Sequence, residues 1–124
     1  MIHFNDSGPI YLQIVEDFKL QLVNGTLKSG EKLTSGRDLA MKIQVNPNTV
    51  ARAYQELERQ GITETRRGLG TFVVEDIELV PKLREVMSKQ IIQDFSMHMK
   101  AAGFSAEQIP ALVIASLQNK SEEK

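Results

Sequence analysis

VNPNTVARAYQELERQG, residues 45–61, spells out a turn, a helix start, a helix and a stop. Asn46 carries the short side-chain oxygen that caps free amides. Pro47 fits the first helical position, where a missing N–H costs nothing. From there Val50, Ala53, Tyr54 and Leu57 fall at i, i+3, i+4 and i+7, so a helix running to Gln60 buries one face. Gly61 ends it. Burying that face leaves Asn48, Thr49, Arg52 and Gln55 elsewhere, as short polar groups with one arginine near the helix N-terminus. Such an edge suits base edges and phosphates in a DNA major groove, and the helix amides add a field that favours phosphate.

The flanking segments extend the pattern. Upstream, Ser35 opens a short helix, with Asp38 three residues on as in a capping box and Leu39, Ala40 and Ile43 as the buried stripe. Earlier still, Pro9 to Asn24 reads as an amphipathic helix on Ile10, Ile14, Phe18 and Leu22, with Tyr11 and Val15 on the same side and Gly25 as the stop. Residues 26–33 form a connection with room for one short strand. Downstream the period changes. Thr63, Thr65, Thr71, Phe72 and Val73 flank Gly68, Leu69 and Gly70, which predicts a hairpin.

Beyond an acidic bridge at Glu75, Asp76 and Glu78, Pro81 opens a long helix with Leu83, Val86, Met87, Ile91, Phe95 and Met99 on one side. Ala101 to Gly103 end it. Ser105 and Gln108 make a second capping box before a last helix on Ile109, Leu112, Val113 and Leu117. Pro110 sits awkwardly there, and a kink is expected. From Asn119 the chain reads as a polar, frayed tail. The expected fold is mainly α with a small β-hairpin wing: a winged helix-turn-helix over residues 1–76, then a helical region over residues 77–124.

Composition narrows the function classes. The 124 residues contain no cysteine, which excludes disulfides and thiolate metal sites. No apolar run approaches the ~20 residues that span a bilayer, and the N-terminus lacks a signal-peptide pattern, so a cytoplasmic protein is expected. His3 and His98 have no carboxylates at ligand spacing, and no nucleophile–base arrangement or cofactor fingerprint is visible. No metal, no cofactor and no enzymatic activity are expected. The formal net charge is −1, so any nucleic-acid surface must be local. Between Glu31 and Thr71 the balance turns slightly basic. There Arg37 is placed to reach a phosphate or to pair with Asp38 or Glu31. Arg66 and Arg67 precede the hairpin tip, where Gly68 and Gly70 permit close approach to a sugar–phosphate edge.

VNPNTVARAYQELERQG followed by RRGLGTFV, with GPIYLQIVEDFKLQLVNGTLKSGEKL before them, resembles the GntR family of bacterial transcription regulators. The short two-helix tail resembles its YtrA-like branch. The likeness runs from about Ile10 to Leu117. It implies a homodimer joined by the C-terminal helices and bound to an operator in double-stranded DNA, commonly repressing its own operon, often one that encodes a transporter. It places DNA contacts at Ser35, Arg37, Asn46, Asn48, Thr49 and Arg52, with Gly70 and its neighbours at the wing. Three positions depart from the family pattern. Thr34 stands where proline is usual, Gly36 makes the second helix start less rigid, and Thr63 replaces an apolar residue, so the first wing strand is expected to be poorly buried.

About 40 residues of helical tail cannot enclose a core alone, so the stripe from Leu83 to Met99, with Leu112 and Val113, is expected to meet a second copy. Two other readings stay open. One is a winged-helix module that docks a protein. The other is a regulator that senses a small molecule between its C-terminal helices, with the effector unknown.

Overall fold

The structure is a computed structural model that describes residues 4–6 and 8–119. The elements in chain order are α1 (Ile10–Val23), α2 (Gly36–Ile43), α3 (Pro47–Arg59), β1 (Thr63–Arg66), β2 (Gly70–Val73), α4 (Leu79–Ala101) and α5 (Gln108–Asn119). They divide into two compact units, 1–84 and 85–124, so the break falls inside α4. The last residues of the polar tail, 120–124, and His3 lie outside the described residues.

In the first unit, α3 packs on both α1 and α2, and β1 packs on α3. The core draws Ile14, Val15, Phe18 and Leu22 from α1, Ala40 from α2, and Val50, Ala53 and Leu57 from α3. Leu27, Leu33, Ile62 and Val73 close it. The i, i+4 spacing therefore predicts the inner face of α1, except at its start. Ile10 is exposed and Tyr11 half-buried, because α1 runs out beyond the core there.

Local chemistry sets the junction between α2 and α3. Ser35 Oγ accepts from the Asp38 amide at 3.1 Å, and Asn46 Oδ1 accepts from the Asn48 amide at 2.8 Å. Each cap contributes about 1 kcal/mol. Between them Gln44 takes the left-handed conformation, φ 56°, which lets the Val45 amide return to the Ala40 carbonyl at 3.0 Å. Tyr54 fixes the entry to α2. Its ring meets Phe18 edge-on, and its hydroxyl donates to the Thr34 carbonyl at 2.5 Å.

The hairpin is antiparallel, with Thr63 opposite Val73 and Arg66 opposite Gly70. Residues 30–33 pair along β2 as a bridge rather than a full strand. The Leu33 amide donates to the Thr71 carbonyl at 2.8 Å, and the Val73 amide to Glu31 at 2.8 Å. In the first strand Glu64 and Thr65 are exposed, in line with the expected poor burial, but Thr63 itself departs from it. It is 3% exposed, and its hydroxyl finds no hydrogen-bond partner among the described residues. Its position opposite Val73, at the root of the wing against α3, puts it inside whatever its polarity.

The two prolines are accommodated alike. α4 begins at Leu79, two residues before the predicted Pro81, and α5 begins at Gln108, two before Pro110. Each proline is third in its helix, within the first turn, where the amide has no partner to lose. α5 runs unbroken past Pro110. The Ser105–Gln108 capping box forms in both directions, at 3.3 and 2.8 Å. In the second unit no residue of either helix is buried. Ile91, Phe95 and Met99 of α4 and Leu112, Val113 and Leu117 of α5 line an apolar groove of about 420 Å³. Leu83 does not belong with them: together with Leu79 it packs against the first unit's core, because it lies before the break in α4.

Candidate nucleic-acid interface

With Val50, Ala53 and Leu57 inward, α3 turns Asn48, Arg52 and Gln55 to solvent and leaves Thr49 half-exposed. Arg52 is not a loose side chain. Its guanidinium carbon lies 4.0 Å from the centroid of the Tyr11 ring. Asn48, Thr49 and Arg52 share one concave wall with Pro9, Ile10 and Tyr11, so the start of α1 and the recognition edge of α3 form a single surface.

Ser35 and Asn46, which the resemblance places at the DNA, spend their oxygens on capping. A hydroxyl proton on Ser35 and the amide protons of Asn46 remain as donors, the polarity a phosphate oxygen requires. Both residues are exposed, one at each helix start.

Ion pairing sorts the cations. Arg59 is held by Glu56, Nε to Oε1 at 2.9 Å, and hydrogen bonds from Arg59 and Gln60 keep the Glu56 carboxyl at about 2, well below its usual range. Arg66 pairs with Glu64 at 2.9 Å and Glu75 at 3.7 Å, and its guanidinium lies over the Phe72 ring. Arg37, Lys42, Arg52 and Arg67 form no ion pair among the described residues. Arg37 thus pairs with neither Asp38 nor Glu31. Arg66 and Arg67, adjacent in sequence, part company: one is compensated within the wing, the other stands exposed at the tip.

Gly68 has φ 78° with open space around it, as a turn residue needs. Gly70 has a further reason to be glycine. At φ 118° a Cβ would lie 2.8 Å from Lys32 Cε, because the lysine stem crosses the wing there. Sequence reasoning missed two residues of this surface. Lys32 was hidden in a connection whose bridge to Phe72 no periodicity announces. Tyr11 packs against the core, as its place on the inner side of α1 implies, but its contact with Arg52 was not foreseen, although an aromatic at the outer end of an apolar stripe is the signal that could have marked it.

Comparison with known proteins agrees with this geometry. The family model described as "Bacterial regulatory proteins, gntR family" matches residues 10–73, the segment that holds α1 to β2. Among curated relatives, the "Uncharacterized HTH-type transcriptional regulator YhcF" of Bacillus subtilis is 43% identical over 86% of this chain and 88% of its own length. The "HTH-type transcriptional repressor YtrA" of the same organism is 40% identical over 83% and 80%. Among solved structures, a "GntR family transcriptional regulator from Listeria monocytogenes" superposes with TM-score 0.83 at 42% identity, covering 90% of this chain and 98% of that one. A helix-turn-helix with an uncompensated polar edge, a hairpin wing behind it and relatives of this kind lead to one assignment: the chain belongs to the GntR family and is a transcriptional regulator with a winged-helix DNA-binding domain.

Proposed function

We propose that this regulator acts as a cytoplasmic homodimer that represses transcription by binding an inverted-repeat operator in double-stranded DNA. The outer edge of α3 reads bases, and the free cations at α2 and the wing tip hold phosphates. The observation that carries this reading is the distribution of compensated charge. Arg59 and Arg66 are tied to carboxylates, while Arg37, Arg52 and Arg67 are left without ion pairs among the described residues. Asn48, Thr49 and Arg52 supply base-reading donors; Ser35, Arg37, Asn46 and Arg67 supply phosphate donors.

The dimer rests on the second unit. Val86, Ile91, Phe95 and Leu112 are all more than a third exposed, with Met87, Met99 and Val113 beside them. An apolar face of this extent calls for a partner, and a second copy supplies a self-complementary one. Twofold symmetry then matches half-sites about one helical turn, ~34 Å, apart. Repression is supported by the relative named a repressor.

The test is a fluorescence anisotropy titration of the full chain on a duplex from upstream of its own coding sequence. Affinity should fall with salt, with a log–log slope of about −0.9 per phosphate neutralised. Sedimentation equilibrium should give a dimer that Phe95→Asp dissociates. Binding of Arg52→Ala equal to that of the parent removes the proposed readout. A monomer in sedimentation removes the dimer.

A further inference from the structure

We infer that Tyr11 is a positioning residue for DNA readout: its ring holds the Arg52 guanidinium in place with its N–H donors unspent, so that they are set to meet a guanine. This rests on the reading of Arg52 given above and adds to it a base and a device.

Tyr11 is second in α1, one turn before Ile14 and Val15, which are wholly buried. It is therefore where the inner face of α1 emerges from the core, anchored on one side and open on the other. Arg52 is one turn beyond Asn48 on α3, and its guanidinium carbon comes to 4.0 Å from the ring centroid. Nothing else among the described residues restrains it: it forms no ion pair and no hydrogen bond with them. A cation over a ring face is attracted by the ring quadrupole.

The ring meets the guanidinium at its carbon, and none of the guanidinium's five N–H groups bonds to another described residue. Stacking therefore takes none of the donors that a bidentate contact to guanine O6 and N7 needs. An arginine already held on a ring also loses less rotamer freedom on docking than a free one. Carboxylates would have fixed the side chain equally well, but would have consumed the donors and the charge. An aromatic ring is the restraint that leaves both.

The experiment is a double-mutant cycle read by anisotropy on the upstream duplex and on a set with single base-pair changes across each half-site. Arg52→Ala first identifies the base pair it reads, expected to contain guanine. Tyr11→Leu, which keeps an apolar side chain at the core margin, should weaken binding about three- to fivefold, and only on duplexes that retain that pair. Tyr11→Phe, which keeps the ring, should bind within about twofold of the parent. The Tyr11→Leu/Arg52→Ala double variant should bind no more weakly than Arg52→Ala alone. Tyr11→Met replaces the leucine variant should thermal melts show that leucine disturbs the fold.

Additive losses in the cycle, a uniform loss on every duplex, or a phenylalanine variant as weak as the leucine one each overturn the inference. Arg52→Ala without loss overturns the functional reading itself. A loss there with an additive cycle leaves that reading standing and removes only the role of Tyr11.

Discussion

Arg52 on the recognition helix and Arg66 in the wing lie on aromatic rings at nearly the same distance, 4.0 Å from the Tyr11 centroid and 4.2 Å from Phe72. Their surroundings differ. Among the described residues Arg52 has no carboxylate at ion-pair distance; Arg66 has Glu64 and Glu75. The ring places a guanidinium in both cases, and the carboxylates decide whether its charge and donors remain available. Exposed ion pairs of this kind stabilise by only about 0.2–1 kcal/mol. Their larger consequence is on the field that the protein presents to a polyanion. One arginine keeps its donors for the DNA contact proposed above, and the other's lie beside two carboxylates.

The comparison predicts unequal losses on truncation. Arg52→Ala should weaken binding to the upstream duplex by roughly 1–3 kcal/mol and relax discrimination at one base pair. Arg66→Ala should cost less and show no base preference. Competition titrations against single-substituted duplexes decide it. Equal losses, or base selectivity lost with Arg66, would erase the distinction between the two regions.

The supports under each region can be tested without DNA. Thr63, at the root of the wing, buries a hydroxyl with no partner among the described residues. Thr63→Val keeps the shape and removes the unsatisfied group, so stability should rise by about 1 kcal/mol in urea denaturation. Tyr54, on the side of α3 that meets Phe18, is pushed up to about 12 by burial. The folded state therefore favours the neutral phenol. Its contribution is complete below the ordinary value near 10 and is lost as pH rises from there toward 12. Tyr54→Phe should be less stable at neutral pH by about 1 kcal/mol, the hydrogen bond to Thr34, and this gap should narrow across that alkaline window. A constant gap would place the phenol's restraint elsewhere.

How legible these regions were follows from the kind of signal each leaves. The recognition helix announces itself: an N-cap, a proline and a four-residue apolar period are local facts, and Asn46, Pro47, Val50, Ala53 and Leu57 do what the pattern implies. The wing's turn was equally local, since Gly68 and Gly70 need left-handed backbone. What the chain order hides is contact across elements. Arg52 meets Tyr11 from a different helix, Arg66 meets Glu75 across the hairpin, and Lys32 crosses Gly70 from a connection. A threonine in place of the family's apolar residue made the strand start look poorly buried, but burial at Thr63 is set by the strand's place against α3 rather than by the side chain. Leu83 fitted the helical period of the C-terminal stripe, but period carries no information about where a compact unit ends.

The smallest effect is the sharpest probe of what carboxylates do in the wing. Replacing Glu64 and Glu75 with glutamine keeps their size and removes two negative charges beside Arg66. The Phe72 ring remains beside the guanidinium. Freed of its compensation, the guanidinium becomes a phosphate cation like Arg67, its exposed neighbour. Affinity should then rise only about twofold, on all duplexes alike, with the salt slope steepening by up to about 0.9, the value of one additional phosphate neutralised. Arg67→Ala should flatten the slope by a similar amount. The arithmetic separates two causes that would keep Arg66 from DNA. A steeper slope in the glutamine variant means that charge compensation alone kept it from DNA. An unchanged slope with unchanged affinity means that the Phe72 stack holds it out of reach, and the resemblance between the two arginine–aromatic pairs would then be geometric only.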